Sequence, residues 1–297
     1  MVLLVLAAAS WFAKSPFESV LNAKQRKANL ERFLGELKPR PVQESGDWGD
    51  AVPWAKSLLV PVPAGTPGAV RPSSTSGKGL EAVVRTFMLA TAAISLASLA
   101  ALLLVPLAAR NLATHEPIDL AYPPRRWSAP LWAVARGLTR ALFVFTRSMP
   151  EFLLGFVLIA AFGPEGAIWA MVLALAVHNF GILGRLGAEV TENAPPSPAR
   201  AIIAHGGGRF AAYVGGILPD AFNRLVVYFF YRWETCVREA TVLGMLSVMS
   251  LGLLIEEAKT AFKFDRMVFY VLLGALIVIA GDIVSALVRR WLRFERP

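Results

Sequence analysis

Three ionisable side chains, Arg232, Glu234 and Arg238, stand in a long apolar stretch that runs from residue 211 to residue 255. A charge inside such a run is costly in lipid and marks a functional site unless something neutralises it. Glu234 and Arg238 are four residues apart with the acid first, so they share one face of a helix and can neutralise each other. That leaves Arg232 unmatched. A planar guanidinium with free donors holds the oxygens of a phosphate or phosphonate in pairs, so the chemistry this spacing suits is contact with an oxyanion. A second group lies upstream. Arg147 and Glu151 are also four apart, with Ser148 and Pro150 beside them. Ser148 followed three residues later by Glu151 has the form of a capping box and predicts a helix start at that point. His178, next to Asn179, sits alone in another apolar run and is expected to hydrogen-bond a neighbouring helix. Asp282, near the end of the last apolar run, is expected to face a helix bundle or reach inward.

Other chemistries find no residues to carry them. Cys236 is the single cysteine, so no intrachain disulfide and no cysteine-based metal cluster can form. No second His or Cys accompanies His178 at metal-ligand spacing, and no nucleophile constellation is present. The triplet Gly206-Gly207-Gly208 lacks the Gly-Lys-Ser/Thr that a phosphate-cradling loop requires. ATP hydrolysis by this chain alone is therefore not expected.

The elements that must position these residues are apolar helices. The chain has 297 residues, of which 56% are hydrophobic and 17% charged, with a mean hydropathy of +0.53. Soluble domains carry about 25% charged residues, so the composition is that of a polytopic membrane protein. The net charge of +9 would suggest nucleic acid in a soluble protein. Here the basic residues flank apolar runs, and membrane orientation accounts for them. About 20 apolar residues cross a bilayer as helix. Residues 83–109, 167–183 (slightly extended) and 267–287 meet that length, and 130–163 and 211–255 are long but interrupted. Residues 1–13 have about the length of a signal-peptide core but lack its basic lead, and are read as a further span because the rest of the chain is membrane-embedded. Residues 14–82 are mixed in charge and rich in Pro, Ser and Gly. They read as a partly disordered extramembrane loop, with a surface amphipathic helix between Lys24 and Leu37. Residues 83–297 form the membrane domain. Arginines cluster at 110–126, 185–209 and 289–296, whereas 163–166 has no basic residue and 256–266 balances to zero. The prediction is an all-α bundle of about six spans with both termini on the cytoplasmic side.

Between two of those runs lies the polar, glycine-broken segment 193–219. Prolines end the preceding helix, "ARAIIAH" predicts a short helix, and the three glycines stop it. "RFAAYVGGILP" then starts another helix, with Pro219 near its beginning. A short helix held across the inner face by a sharp turn suits docking into a groove on a soluble partner.

Four stretches in register carry a resemblance to the permease subunits of binding-protein-dependent ABC importers of type I. Residues 200–219 resemble their coupling loop, with Ala201, Gly206 and Ile217-Leu218-Pro219 at motif positions and Arg200 where the family has glutamate. Residues 146–164 resemble the Arg-Ser-x-Pro helix, and 174–192 the span before the loop. "YRWETCVREATVLGM", residues 231–245, is similar to a segment of the phosphonate permeases. Their glycine-rich stretch after it is reduced here to Gly252. The resemblance implies an inner-membrane, multi-pass transport subunit for phosphonate or a related phosphorus oxyanion, and not an enzyme. It implies ATPase subunits that bind ATP and Mg, a second permease subunit that is identical or homologous, and a periplasmic or lipid-anchored substrate-binding protein. It assigns Arg200, Ala201, Ala204, His205, Gly206, Gly207, Gly208, Arg209, Leu218 and Pro219 to ATPase coupling. Arg232, Glu234, Arg238, Arg147 and His178 become candidates for the translocation path. A different reading is an ion-coupled secondary transporter with Arg232, Glu234 and Arg238 as its relay. Such folds carry inverted repeats, and none is visible.

Overall fold

The computed structural model describes residues 23–62, 77–114, 116–119, 128–246, 248 and 250–294. The expected span at residues 1–13 lies outside the described residues. Helix α1 (Ala23–Glu36) covers the predicted amphipathic stretch, and α2 (Arg40–Ser45) and α3 (Ala51–Leu59) follow it. The membrane region opens with α4 (Gly79–Ala108). It continues through α5 (Ser128–Ser148), α6 (Glu151–Phe162) and α7 (Ala167–Glu192). Then come the short helices α8 (Ser197–Ala204) and α9 (Arg209–Ala212), and the long α10 (Leu218–Leu243). The chain closes with α11 (Leu251–Thr260) and α12 (Phe264–Phe294).

Among the described residues, three helices are long and apolar enough to cross a membrane: Gly79–Ala108, Pro164–Glu192 and Phe264–Trp291. Two bent pairs, α5 with α6 and α9–α10 with α11, bring the number to five if each pair is one span. Lipid supplies no hydrophobic drive between such helices, so close approach of small residues must hold them together. The sequence provides it. Along α4, Ala82, Thr86, Ala90, Ala93, Ala97, Ala101 and Val105 are all buried, at steps of three and four that form one stripe. The facing side of α7 is Ala167, Ala170, Met171, Ala174 and Leu175, also buried. Where α5 crosses α7, a side chain at Gly184 would overlap the ring of Phe143. Glycine there lets the two helices meet, and Phe143 seals the crossing edge-to-face on Phe180, centroids 5.1 Å apart.

The bundle has two ends. The start of α4, α11 and the start of α12 share one end: the Leu251 amide donates to Thr86 Oγ1 at 3.0 Å. The end of α4, the end of α7 and the start of α10 share the other. There Val105, Ala109, Leu112, Val190, Ala199, Ile203 and Ile217 form a separate buried cluster.

Candidate coupling loop and charged helix face

After α7 ends at Glu192, Asn193 folds back to donate to the Glu189 carbonyl at 2.8 Å. Prolines 195 and 196 forbid continuation. Helix α8 buries Ala199 and Ile203, four residues apart, and turns Arg200, Ala201, Ala204 and His205 outward. Its end is a paired backbone stop. Gly206 N–H donates to Ile203 O at 2.9 Å and Gly207 N–H to Ile202 O at 2.8 Å. Gly206 takes φ +83° with open space where a Cβ would sit, so glycine is required there by backbone conformation rather than by packing. The chain then re-enters through α9 and a π turn, Tyr213–Ile217, directly into α10, with Pro219 in the first turn. The short helix, glycine stop and second helix are as the sequence predicts.

Packing locks this loop to the bundle. A side chain at Gly216 would lie 2.6 Å from Ala199 Cα, so α8 rests backbone-close on the turn that leads into α10. Arginines hold the rest. Arg209 Nη1 donates to the carbonyls of Leu112, at 2.6 Å, and Thr114, and its guanidinium stacks 4.1 Å over Trp132. Arg200 Nε donates to Ile118 O at 3.2 Å. From α5, Arg136 reaches Ala113 O at 3.1 Å and Arg140 reaches Ala108 O at 2.8 Å, while Arg140 also pairs with Glu192. The last carbonyl of α4, at Ala108, and several carbonyls of the segment after it thus receive guanidinium donors. Arg200 and Arg209 act at least partly as structural clamps toward residues 112–118. The loop's exposed face adds Phe210 and Val214, four residues apart, which sequence reasoning passed over.

The intramembrane charges are arranged differently from the expectation. Arg232 is not unmatched. Its Nη2 donates to Glu239 Oε1 at 2.9 Å and its Nε to Asn179 Oδ1 at 2.8 Å. Asn179 Nδ2 in turn donates to Glu239 Oε2 at 3.3 Å. The two charged side chains are only 17% and 14% exposed, so this is a closed network joining α10 to α7. The missed partner, Glu239, stands seven residues from Arg232; two helical turns put both on one face. The Glu234–Arg238 pair forms as expected, at 3.3 Å. Glu234 also faces α12, where Asp282 is its neighbour and Arg289 Nη1 lies 4.0 Å away. Asp282 therefore faces the bundle. Arg289 stacks 4.2 Å over the Tyr231 ring. Arg238, 54% exposed, is the accessible cation of the three path arginines, on a face it shares with Tyr231 and Val242.

The capping box at Ser148 does not form. Ser148 is the last residue of α5, and its hydroxyl donates back to Val144 O at 2.6 Å. Helix α6 starts after Pro150 with no side-chain cap. The chain bends by 89° between α5 and α6, so the helical spacing that would join Arg147 to Glu151 is broken, and no ion pair between them occurs. His178 does bond across helices: its Nδ1 meets Met149 O at 3.0 Å at the bend, and its Nε2 lies 3.9 Å from Glu151. Among the described residues no group of His, Cys, Asp and Glu is placed to hold a metal ion.

Comparison with known proteins bears on this arrangement. Residues 128–294 match the family model described as binding-protein-dependent transport system inner membrane component. The chain is 27% identical over 207 residues to the phosphate-import permease protein PhnE of Mycolicibacterium smegmatis, a match covering 70% of this chain and 35% of that protein. It thus spans about a third of that relative's length. It is 27% identical over 225 residues to the phosphite transport system permease protein PtxC of Stutzerimonas stutzeri, covering 75% of each. Among solved structures, the MetNI methionine ABC transporter in inward-facing conformations superposes with a TM-score of 0.53. The identity is 18%, over 70% of this chain and 95% of that one. An amino acid ABC transporter gives the same score at 12% identity. At those identities the structural likeness speaks for the fold.

Proposed function

The chain belongs to the family of binding-protein-dependent transport system inner membrane components, and from that premise we propose that it is the permease subunit of an ABC importer for a phosphorus oxyanion. The class is phosphonate, phosphite or phosphate. The relatives named above are permeases for phosphate and phosphite. The observation that carries the reading is the exposed face of α10. Arg238 presents a guanidinium inside a helix pair apolar enough to span the membrane, where a charge facing lipid is costly. Such a face belongs against water or a second permease subunit, and its planar fork suits tetrahedral oxyanion oxygens. Glu234, 3.3 Å away, weakens the site's net charge, so contact is brief rather than a trap. Arg232, sequestered by Glu239 and Asn179, braces α10 against α7 instead.

The 193–219 loop is the docking element for ATPase subunits, which bind ATP and Mg and supply the energy. Because α8 rests directly on the turn entering α10, displacement of α8 moves α10 and its charged face with it. A periplasmic or lipid-anchored binding protein delivers substrate at the opposite end. The chain itself carries out transport and no chemical conversion, in the inner membrane. The test is uptake by proteoliposomes that hold this chain, its co-purifying ATPase and binding protein. Phosphonate, phosphite or phosphate should enter only with internal ATP. Uptake driven by an ion gradient without ATP would establish the secondary-transporter reading instead.

A further inference from the structure

Residues 23–62 lie outside the matched family region, yet they are bound to the bundle at a defined height. The Phe33 ring packs on Phe264, centroids 5.7 Å apart. The Arg40 amide donates to Asp265 at 3.4 Å, and Trp54 packs on Phe269 at 5.4 Å. Leu58 is fully buried. These contacts fall on the first turns of α12, at the end opposite the 193–219 loop, where apolar helix begins.

Helix α1 carries Leu30, Phe33 and Leu34 at spacings that make one apolar stripe, and Leu37 follows just past its end. Only its Phe33 edge meets Phe264; Leu30 and Leu34 are each more than half exposed. Trp48 is 63% exposed at the rim of an apolar groove of about 280 Å3 lined by Leu37, Trp48, Trp54, Val268, Phe269 and Leu272. That groove opens onto the exposed stripe of α12, Leu272, Leu276, Ile279 and Ile283. Between Lys24 and Arg40 there are six basic residues against two glutamates. Apolar stripe, tryptophan at the edge of a span and surplus positive charge are together the attributes of a helix that lies in a bilayer interface.

We propose that residues 23–59 form an interfacial anchor in the leaflet opposite the coupling loop, with acidic phospholipid as the occupant. Leu30, Leu34 and Trp48 enter the acyl boundary, and Lys27 and Lys38 reach headgroup phosphates. The segment thereby holds the first turns of α4 and α12 at the membrane surface.

Nitroxide labels on single cysteines test this. Cys236, fully buried, is replaced by Ser, and the full chain is reconstituted in vesicles of phosphatidylethanolamine and phosphatidylglycerol. Labels at Leu30→Cys, Leu34→Cys and Trp48→Cys should relax severalfold more with oxygen, relative to a water-soluble nickel chelate, than labels at Ala28→Cys and Gly35→Cys on the opposite face of α1. Exchanging phosphatidylglycerol for phosphatidylcholine should reduce that difference. Equal nickel access on both faces would place the stripe in water and overturn the proposal. Protection from both reagents would assign the stripe to a protein partner and overturn it equally. An unchanged ratio without acidic lipid would remove the charge-based part of the assignment. Leu30 and Leu34 keep the result readable if Trp48→Cys disturbs folding.

Discussion

Substitution of Arg232 by alanine should damage the fold before it damages transport. The guanidinium and the Glu239 carboxylate are 2.9 Å apart and mostly buried. Two unit charges at that distance attract by about 6 kcal/mol at an effective dielectric constant of ~20, and their desolvation offsets much of this. The net worth of the intact pair is therefore small, but removing one partner leaves a buried charge uncompensated, at a cost of about 3–5 kcal/mol. Arg232→Ala strands Glu239, and Asn179 offers its amide alone. Glu239→Ala strands Arg232, with only Asn179 Oδ1 as acceptor. The double variant Arg232→Met/Glu239→Leu removes both charges and keeps volume, so it should recover most of the loss. The assay is a double-mutant cycle on unfolding midpoints of the purified protein in detergent, run beside ATP-dependent uptake. The singles should unfold well below the wild type and assemble poorly, and the double variant should approach the wild type in both stability and uptake. Additive losses in the cycle would refute a closed pair. A stable Arg232→Ala that assembles but does not transport would restore Arg232 to the path.

Arg238→Ala should leave the unfolding midpoint near wild type, because an exposed pair is worth about 0–1 kcal/mol, while oxyanion uptake falls; Arg238→Lys should recover part of that uptake. Undiminished uptake by Arg238→Ala would take the residue out of the path. Gly206→Asn should transport better than Gly206→Val, since asparagine tolerates the left-handed backbone that costs other residues about 1–2 kcal/mol. Equal transport by the two, with ATPase bound, would show that this turn need not be held. Gly184→Leu should prevent accumulation of folded protein by driving into Phe143, whereas Gly137→Leu, with open space at its Cβ, should express normally; yields from membranes decide it.

Local physics was legible in the chain. Apolar length set out the candidate spans, since crossing a bilayer depends on the transfer energy of one continuous segment. The 193–219 loop was legible for a similar reason: proline and glycine act on their own backbone, and Gly206 at φ +83° is where a stop was predicted. Pairing was not legible. Arg232 looked unmatched because its partners are Glu239, two turns along α10, and Asn179, 53 residues away on α7. Ser148 read as a cap because its spacing to Glu151 assumes one continuous helix, and the 89° bend at Met149-Pro150 removes that assumption. Arginines that signal orientation by their number turned out to hold individual carbonyls at residues 108–118. The register of packed helices decides each of these contacts. That register follows from how Ala, Gly and Phe surfaces interlock across α4, α5, α7 and α10, a fit that exists only once the helices have met.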